Sequence, residues 1–221
     1  MKLAIYDFDG TYVSKQTLPL MYKLWKEKHL NDKAYKKIWY GFIWRYVLYK
    51  LKVFGWTKRK INPYTMRKTA DLFRSIPRDI LNQFINDNYQ NLQAYIFEPM
   101  RKQIQVDKDA GYHIVLLSGN LDIILKPFKK DGFDTIIGSV FEEKGEFLPS
   151  DKIHILIEGQ KKKALLERFK DADYKNSKAY ADNGYDIPIL ELVGKAYAVN
   201  PDKELEDHAL KNNWNIIKKD K

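Results

Sequence analysis

The sequence predicts an α/β fold: a parallel β-sheet with helices on both faces, into which a mostly helical segment is inserted. Two observations favour this fold. From residue 99 onward, short apolar runs that are typical of buried strands alternate with helical patterns, as in parallel sheets. One further strand pattern lies near the N-terminus, and the residues between it and residue 99 show helical patterns with almost no strand signal.

Each element has its own signal. Residues 2–8 are a β-branched and aromatic run that ends in Asp-Gly, which indicates a buried strand and a tight loop. Helical patterns cover residues 18–92, and a helix over residues 99–110 has Pro99 in its first turn and Gly111 beyond its end. The remaining elements are predicted in this order: strand 113–117, helix 122–130, strand 133–141, a hairpin with its tip at 144–145, helix 161–170, strand 178–181, helix 187–193, strand 196–199, helix 204–212 and strand 214–217.

The inserted segment separates the first strand from its sheet partners, so the sequence predicts two domains. Residues 1–13 and 99–221 would form the α/β core, and residues 14–98 a helical cap. An insertion at this point would lie over the edge of the sheet where such folds bind ligands. We therefore expect the cap to act as a lid.

The composition is that of an ordinary folded protein. The chain of 221 residues has a net charge of +10, and 44% of its residues are hydrophobic. It has no cysteine, which excludes disulfides, zinc-thiolate sites and a thiol nucleophile. Acidic residues follow soon after Met1, and no uncharged run approaches the roughly 20 residues that span a bilayer, so we expect a soluble, cytoplasmic protein.

The basic charge is concentrated in the predicted cap. Residues 14–98 contain 17 Lys and Arg against 6 Asp and Glu, a net +11, whereas the remaining residues contain 22 against 23, a net −1. The same segment holds 17 of the 31 aromatic residues. This distribution indicates a surface with a partner of its own.

The strongest chemical signal is the run Asp7-Phe8-Asp9-Gly10-Thr11 at the end of the first strand. Two carboxylates two residues apart on an extended segment point the same way and concentrate negative charge where a ligand would bind. Mg²⁺ would neutralise that charge, since it takes one or two carboxylates together with phosphate oxygens and water. Taken alone, the run also fits a solvated turn, because Asp-Gly is common in turns.

Two further polar groups follow predicted strands. Ser118 and Gly119 come directly after strand 113–117, where they could bind a phosphate or belong to an ordinary turn and helix cap. Asp182 and Asp186 follow strand 178–181, where one carboxylate could complete a Mg²⁺ site and the other could brace it.

A lysine triplet, residues 161–163, opens a predicted helix. One of these lysines could neutralise a phosphate, although a lysine run is more often a solvated face. Lys162 best fits the spacing to Gly159 and Leu166, and Lys161 and Lys163 stay open as alternatives.

In this order the four motifs resemble the signature of the haloacid-dehalogenase-like superfamily: an Asp-x-Asp-Gly-Thr strand end, a later Ser or Thr, a Lys, and a pair of acids. Residues 192–202, followed by Asn213 and Trp214, resemble the phosphoserine-phosphatase-like branch, whose helical cap lies between the first and second motifs. The resemblance covers the first thirteen residues and residues 99–217. It implies a Rossmann-like core with an inserted helical cap.

The resemblance also implies a Mg²⁺-dependent phosphomonoesterase that forms an aspartyl-phosphate intermediate. Asp7 would be the nucleophile, and Asp9 would protonate the leaving oxygen and then activate water. The groups that would bind phosphate are Ser118, Lys162 and the backbone N–H groups of Phe8 and Gly119. The Mg²⁺ ligands would be Asp7, the carbonyl of Asp9, and Asp182, with Asp186 supporting them. Two alternatives stay open: phosphoryl transfer to an acceptor other than water, and a non-catalytic basic module.

The predicted cap bears on the substrate. Gln16 stands where phosphoserine-specific members carry Glu, which disfavours a cationic amino-acid substrate. Residues 38–49 are almost continuously aromatic or aliphatic, with lysines on both sides. This run would be either the buried core of the cap, or a surface for peripheral contact with an anionic membrane, with a lipid phosphate as substrate. Nucleic-acid binding is disfavoured, because no base-reading motif accompanies the basic charge.

Overall fold

A computed structural model of the chain describes residues 1–51, 58–143, 146–149, 152–157 and 159–218. The strands are β1 (Leu3–Tyr6), β2 (His113–Leu121), β3 (Thr135–Ser139), β4 (Glu142–Glu143), β5 (Glu146–Phe147), β6 (Lys178–Ala181), β7 (Lys195–Val199) and β8 (Asn215–Ile217). The α-helices are α1 (Thr17–Glu27), α2 (Asp32–Lys50), α3 (Lys58–Phe73), α4 (Arg78–Gln93), α5 (Glu98–Asp109), α6 (Asp122–Leu125), α7 (Gly159–Arg168), α8 (Ile187–Leu190) and α9 (Lys203–Lys211).

The main sheet is parallel throughout, with the strand order β3-β2-β1-β6-β7-β8. The predicted α/β fold is confirmed, because strands and helices alternate from α5 onward and β1 pairs with strands that lie beyond residue 99. The central position of β1 brings the residue that follows it, Asp7, to the middle of the sheet edge. None of the helices in the described part of the chain is long and apolar enough to cross a membrane.

The largest differences between predicted and observed strand boundaries are in β2 and β3. Strand β2 continues to Leu121, which pairs with Ser139 after a register shift that follows Leu117. The predicted strand 133–141 is shorter and spans only Thr135–Ser139. The short antiparallel pair of β4 and β5 agrees with the predicted hairpin, whose tip at residues 144–145 lies outside the described residues.

Side chains of β1 pack on both faces of the sheet. Leu3 and Ile5 belong to one buried cluster, and Ala4 and Tyr6 belong to another on the opposite face. A strand buried on both faces reads as a continuous apolar run, which is the pattern that predicted β1. The end of β1 is therefore held rigidly between two packed layers.

A buried polar network fixes α5 against the sheet. Asp107 has no solvent exposure and accepts hydrogen bonds from the hydroxyls of Tyr6 (2.7 Å) and Tyr180 (2.9 Å). The ammonium of Lys178 lies 2.5 Å from the same carboxylate, and Gln103 donates to it at 3.0 Å. Asp107 is therefore fully partnered and belongs to the scaffold that positions β1 and β6.

Helices α1 to α4 confirm the helical content predicted between residues 14 and 98. One attachment of these helices to the core is Asp131, which accepts hydrogen bonds from Tyr12 at 2.8 Å and from Tyr89 of α4 at 2.6 Å. The division of the chain into a core and a cap domain stays a prediction.

The exposure of side chains on helix α2 contradicts one of the two interpretations of residues 38–49. Within α2, only Tyr35 and Ile38 are buried, whereas Tyr40 is 67% exposed and Trp44 is 63% exposed. Six of the twelve residues in this run are exposed, so its interpretation as the buried core of the cap is wrong for that half.

Candidate active site

The loop after β1 brings the first motif to the carboxyl edge of the sheet. The N–H of Asp7 donates to the carbonyl of Tyr180 on β6 at 2.9 Å, so Asp7 is still held by the sheet. Beyond it the chain turns sharply at Gly10, whose φ is +87°. A β-carbon at Gly10 would lie 1.9 Å from a carboxylate oxygen of Asp182. Glycine is therefore required both by the backbone conformation and by the close approach of Asp182.

Three carboxylates meet at this edge. Asp7 follows β1, Asp182 follows the adjacent strand β6, and Asp186 ends a short 3₁₀ turn, Gly184–Asp186. One carboxylate oxygen from each of the three lies within 4.8 Å of the others. Burial, reinforced by the charge of Asp186, raises the pKa of Asp182 to about 7. Such a cluster concentrates more negative charge than a buried position tolerates without cations.

Lys161 provides part of the counter-charge. Its buried ammonium lies 2.7 Å from Asp7 and 2.8 Å and 3.1 Å from the two oxygens of Asp186. Burial alone would lower the pKa of Lys161, but the two carboxylates outweigh burial and raise it. For Asp7, burial and repulsion from Asp186 and Asp182 raise the pKa against the attraction of Lys161.

The structure corrects the prediction that Lys162 is the lysine of the site. Helix α7 begins at Gly159, and its buried residues are Lys161 and Leu165, one turn apart. Lys162 is only half-buried, and it is not among the residues that line the cavity described below. The spacing to Leu166 pointed to the wrong face of the helix, because Leu165 is the leucine that packs in the core.

Asp9 is oriented by the first helix and by the end of β2. One of its carboxylate oxygens accepts a hydrogen bond from the backbone N–H of Thr17, the first residue of α1, at 2.6 Å. The other accepts from the side-chain amide of Asn120 at 3.2 Å. Burial raises the pKa of Asp9, and these hydrogen bonds oppose the shift without cancelling it. Each oxygen keeps a second lone pair, so the carboxyl group can still hold a proton.

The predicted phosphate-binding residues at the end of β2 lie beside the acids. The buried hydroxyl of Ser118 accepts a hydrogen bond from the N–H of Asn120 at 3.1 Å. A β-carbon at Gly119 would lie 2.7 Å from the carbonyl oxygen of Leu156, so this position also favours glycine. The segment is therefore packed closely enough to hold Ser118 in place.

A cavity of about 480 Å³ unites these groups, which is a usual size for a small-molecule site. Asp7, Asp9, Ser118, Gly119 and Asp182 all line it, as does Lys161. Asp186 is buried against Lys161 and does not line the cavity. The ring of Phe8 packs in the core against Phe128, so only its backbone could serve a ligand.

Sequence reasoning missed the contributions of two residues to the site. The side chain of Asn120 links Asp9 to the hydroxyl of Thr17, to which it donates at 2.7 Å. Asp202 also lines the cavity, and its backbone N–H donates to the carbonyl of Asp182 at 2.8 Å. Asn120 directly follows the Ser-Gly pair and Asp202 directly follows Pro201, but nothing in their spacing indicated that they reach the acids of the first and last motifs.

Comparisons with known proteins place the chain in a family of hydrolases. The family model for haloacid dehalogenase-like hydrolases matches residues 4–191. The chain is similar to the phosphoserine phosphatase SerB1 of Mycobacterium tuberculosis, with 25% identity over 154 residues that cover 68% of this chain and 47% of that protein. It is also similar to the histidinol-phosphatase of Neisseria meningitidis, with 24% identity over 224 residues that cover 97% of both.

The fold is similar to that of a phosphoserine phosphatase crystallised in its apo form, with a TM-score of 0.60, 20% identity, and coverage of 99% of this chain and 94% of that one. The chain spans about half the length of most of the curated relatives it matches.

Proposed function

The chain belongs to the haloacid dehalogenase-like hydrolase family, and on that premise we propose that it hydrolyses phosphomonoesters through a covalent intermediate on Asp7. The observation that carries this proposal is that Asp7 and Asp9 open into one cavity together with Lys161 and Ser118. Such a set supplies a nucleophile, an acid/base group and phosphate ligands in a single place.

In the first step, a carboxylate oxygen of Asp7 attacks phosphorus and the bond from phosphorus to the ester oxygen breaks. The fixed position of Asp7 at the end of β1 lowers the entropic cost of this attack. Asp9 gives its proton to the departing alkoxide, which leaves as the free alcohol.

In the second step, water attacks the phosphorus of the aspartyl-phosphate. Asp9, now a carboxylate, accepts a proton from that water as the bond between phosphorus and Asp7 breaks. Inorganic phosphate is released and both acids return to their starting states. The hydrogen bonds from Thr17 and Asn120 would keep Asp9 aimed at the same point during both steps.

Lys161 and Ser118 would bind the phosphate oxygens. The ammonium of Lys161, already held at 2.7 Å from Asp7, is placed to offset the charge that develops beside the nucleophile. The hydroxyl of Ser118 and the N–H groups of Phe8 and Gly119 would supply neutral donors to the same group.

The donor set fits a hard divalent cation. Asp7, Asp182 and Asp186 present clustered oxygens, and the single ammonium of Lys161 cannot balance the charge of these acids together with Asp9. Asp7 and Asp182, with the carbonyl of Asp9, would therefore bind Mg²⁺, and Asp186 would support them. When bound, Mg²⁺ would offset the negative charge shared by the phosphate and the carboxylates.

The remaining residues that line the cavity bear on the alcohol half of the substrate. They comprise Leu18, Met66, Leu156, Ile157 and Tyr185, with the amides of Gln16, Asn62 and Asn183. The carboxylate of Asp202 also lies there, but it accepts hydrogen bonds from the N–H groups of Leu205 and Gly184. Apolar and amide groups suit an uncharged alcohol, so a small or lipid-like phosphomonoester fits better than phosphoserine. With a lipid phosphate as substrate, the protein would contact an anionic membrane peripherally through residues 14–98.

A phosphotransferase is the second candidate, because transfer to an alcohol uses the same residues as transfer to water. The two candidates differ only in whether an acceptor alcohol competes with water for the phosphoryl group.

The test is phosphate release from a panel of phosphomonoesters, including lipid phosphates, in Mg²⁺ or EDTA. Wild-type protein should release phosphate only in Mg²⁺, Asp7→Asn should not, and the exposed control Asp171→Asn should match the wild type. Release by folded Asp7→Asn at the wild-type rate would overturn the proposal. Loss of phosphate release on adding an acceptor alcohol, with the phosphorylated alcohol as product, would favour the transferase.

A further inference from the structure

We infer that the outward face of α2 is a docking surface for an anionic lipid bilayer. This face comprises Lys33, Lys36, Lys37, Tyr40, Ile43, Trp44, Val47 and Leu51, the last being the residue directly after the helix. The inference rests on the proposed function, because the docking surface is the place where the enzyme would meet a membrane-borne phosphomonoester.

The apolar members of the outward face form one stripe. At 3.6 residues per turn, positions 40, 44, 47 and 51 lie above one another on the helix. Tyr40, Trp44 and Leu51 are 67%, 63% and 65% exposed, and Ile43 and Val47 are exposed beside them. The stripe therefore presents large apolar side chains to solvent over about three turns.

The opposite side of α2 already has its packing partners. Tyr35 and Ile38 are buried, and the ring of Phe42 meets Tyr22 and Tyr64 edge-on at 5.4 Å and 5.9 Å. The helix thus does not need its outward face for attachment to the protein. On helices α5 and α9, by contrast, the large exposed apolar residues Val106 and Leu210 occur singly, and scattered residues of this kind are ordinary.

The positive charge of the outward face favours an anionic partner. Lys33, Lys36 and Lys37 lie on the same face about two to three turns before Trp44, and all three are exposed, as is Lys50 at the end of α2. Lysines beside Trp and Tyr suit the headgroup region of a bilayer that contains anionic lipids. A second copy of the chain fits less well, because each copy brings a segment with a net charge of +11 to the contact.

The inward side of α2 is linked to the cavity through α3. Helix α3 packs against α2, with the guanidinium of Arg45 3.9 Å from the ring centre of Tyr64, and α3 contributes Asn62 and Met66 to the cavity. Docking through α2 would therefore leave α3 as the element between the docked helix and the cavity.

The experiment is co-sedimentation of the full chain with phosphatidylcholine vesicles, with and without phosphatidylglycerol. Wild-type protein should bind the anionic vesicles, and added salt should weaken the binding. Trp44→Ser should abolish sedimentation. The double variant Lys36→Glu/Lys37→Glu should weaken vesicle binding by more than about 30-fold, since the loss of each lysine removes roughly a fivefold factor and each new glutamate adds repulsion from the anionic surface.

Matched controls change equally exposed residues elsewhere. Leu210→Ser on α9 and Lys102→Glu/Lys211→Glu on α5 and α9 should bind like the wild type. Binding by Trp44→Ser at the wild-type level would overturn the inference, as would absence of vesicle binding by the wild type. Self-association or single-stranded nucleic-acid binding that Trp44→Ser removes, without vesicle binding, would assign the face to another partner and overturn it too.

Hydrolysis of a soluble phosphomonoester by the same wild-type preparation separates the two proposals. Mg²⁺-dependent hydrolysis without vesicle binding overturns only the docking surface. Vesicle binding without hydrolysis overturns only the proposed function.

Discussion

Replacing Lys161 with methionine removes the only cation that contacts Asp7 and Asp186 among the described residues. Methionine has about the length of lysine and matches its aliphatic stem, but it leaves two buried carboxylates without a counter-charge. The loss of one buried partner of an ion pair costs about 3–5 kcal/mol. We expect the free energy of unfolding to fall by about that amount in EDTA.

The same substitution should lower activity. An ammonium that offsets developing charge contributes about 10²–10³-fold to the rate, and we expect kcat/KM of Lys161→Met to fall by about this factor. Mg²⁺ should restore part of the stability, because a cation that binds only the folded state raises its free energy of unfolding. It should not restore the rate, since the ammonium itself is absent.

Lys162→Met is the matched control, because the adjacent side chain does not line the cavity. Its unfolding free energy should stay within about 0.5 kcal/mol of the wild type. Urea unfolding with and without Mg²⁺, and steady-state phosphate release, measure both effects. If Lys162→Met lost the larger share of activity while Lys161→Met kept it, the assignment of Lys161 to the site would be refuted.

Three further substitutions test other parts of the structure. Gly10→Ala should weaken the activation by Mg²⁺ and lower the free energy of unfolding by about 1–3 kcal/mol, because the added β-carbon would collide with Asp182. Mg²⁺ titration of the activity and urea unfolding measure these two effects. Asp107→Ala should lower the unfolding free energy by about 3–5 kcal/mol in urea, because it leaves buried Tyr6, Tyr180 and Lys178 without an acceptor. Asn120→Ala should lower kcat about 10- to 100-fold with little change in KM, since Asp9 loses a positioning hydrogen bond.

Each of these predictions has an outcome that contradicts it. Gly111→Ala is the control for Gly10→Ala, because Gly111 also has a positive φ, +75°, but no atom lies within 4 Å of the added β-carbon. Equal Mg²⁺ activation in both variants would show that the collision with Asp182 does not affect Mg²⁺ binding. If Asp107→Ala had the same free energy of unfolding as the wild type, the hydrogen bonds of Asp107 would make no net contribution to stability. A rise in KM at constant kcat in Asn120→Ala would assign Asn120 to substrate binding instead.

The fold class was predictable because its signals are local. The apolar run of β1 and the alternation of strands and helices after residue 99 follow from burial on both sheet faces. The order of the acidic motifs also predicted which strand ends converge, since parallel strands share one carboxyl edge. Asp7 and Asp182 meet for this reason.

The remaining details depend on contacts between distant segments. Lys161 rather than Lys162 enters the site because α7 turns Leu165 rather than Leu166 into the core, and two adjacent leucines do not distinguish these faces. Asn120 reaches Asp9 only because β2 extends beyond Leu117. The exposure of α2 depends on which of its two apolar sides finds partners, and composition alone is silent on that choice.

The central claim is that Asp7 carries the phosphoryl group. The most direct test is an acid-quenched single-turnover reaction with a radiolabelled phosphomonoester in Mg²⁺, followed by peptide mapping. We expect the label on the peptide that contains Asp7 and its loss in Asp7→Asn. With an aryl phosphate whose leaving group needs no protonation, the label should also accumulate in Asp9→Asn, because only the second step then slows. Turnover with no label on protein, or with the label on another residue, would contradict the account.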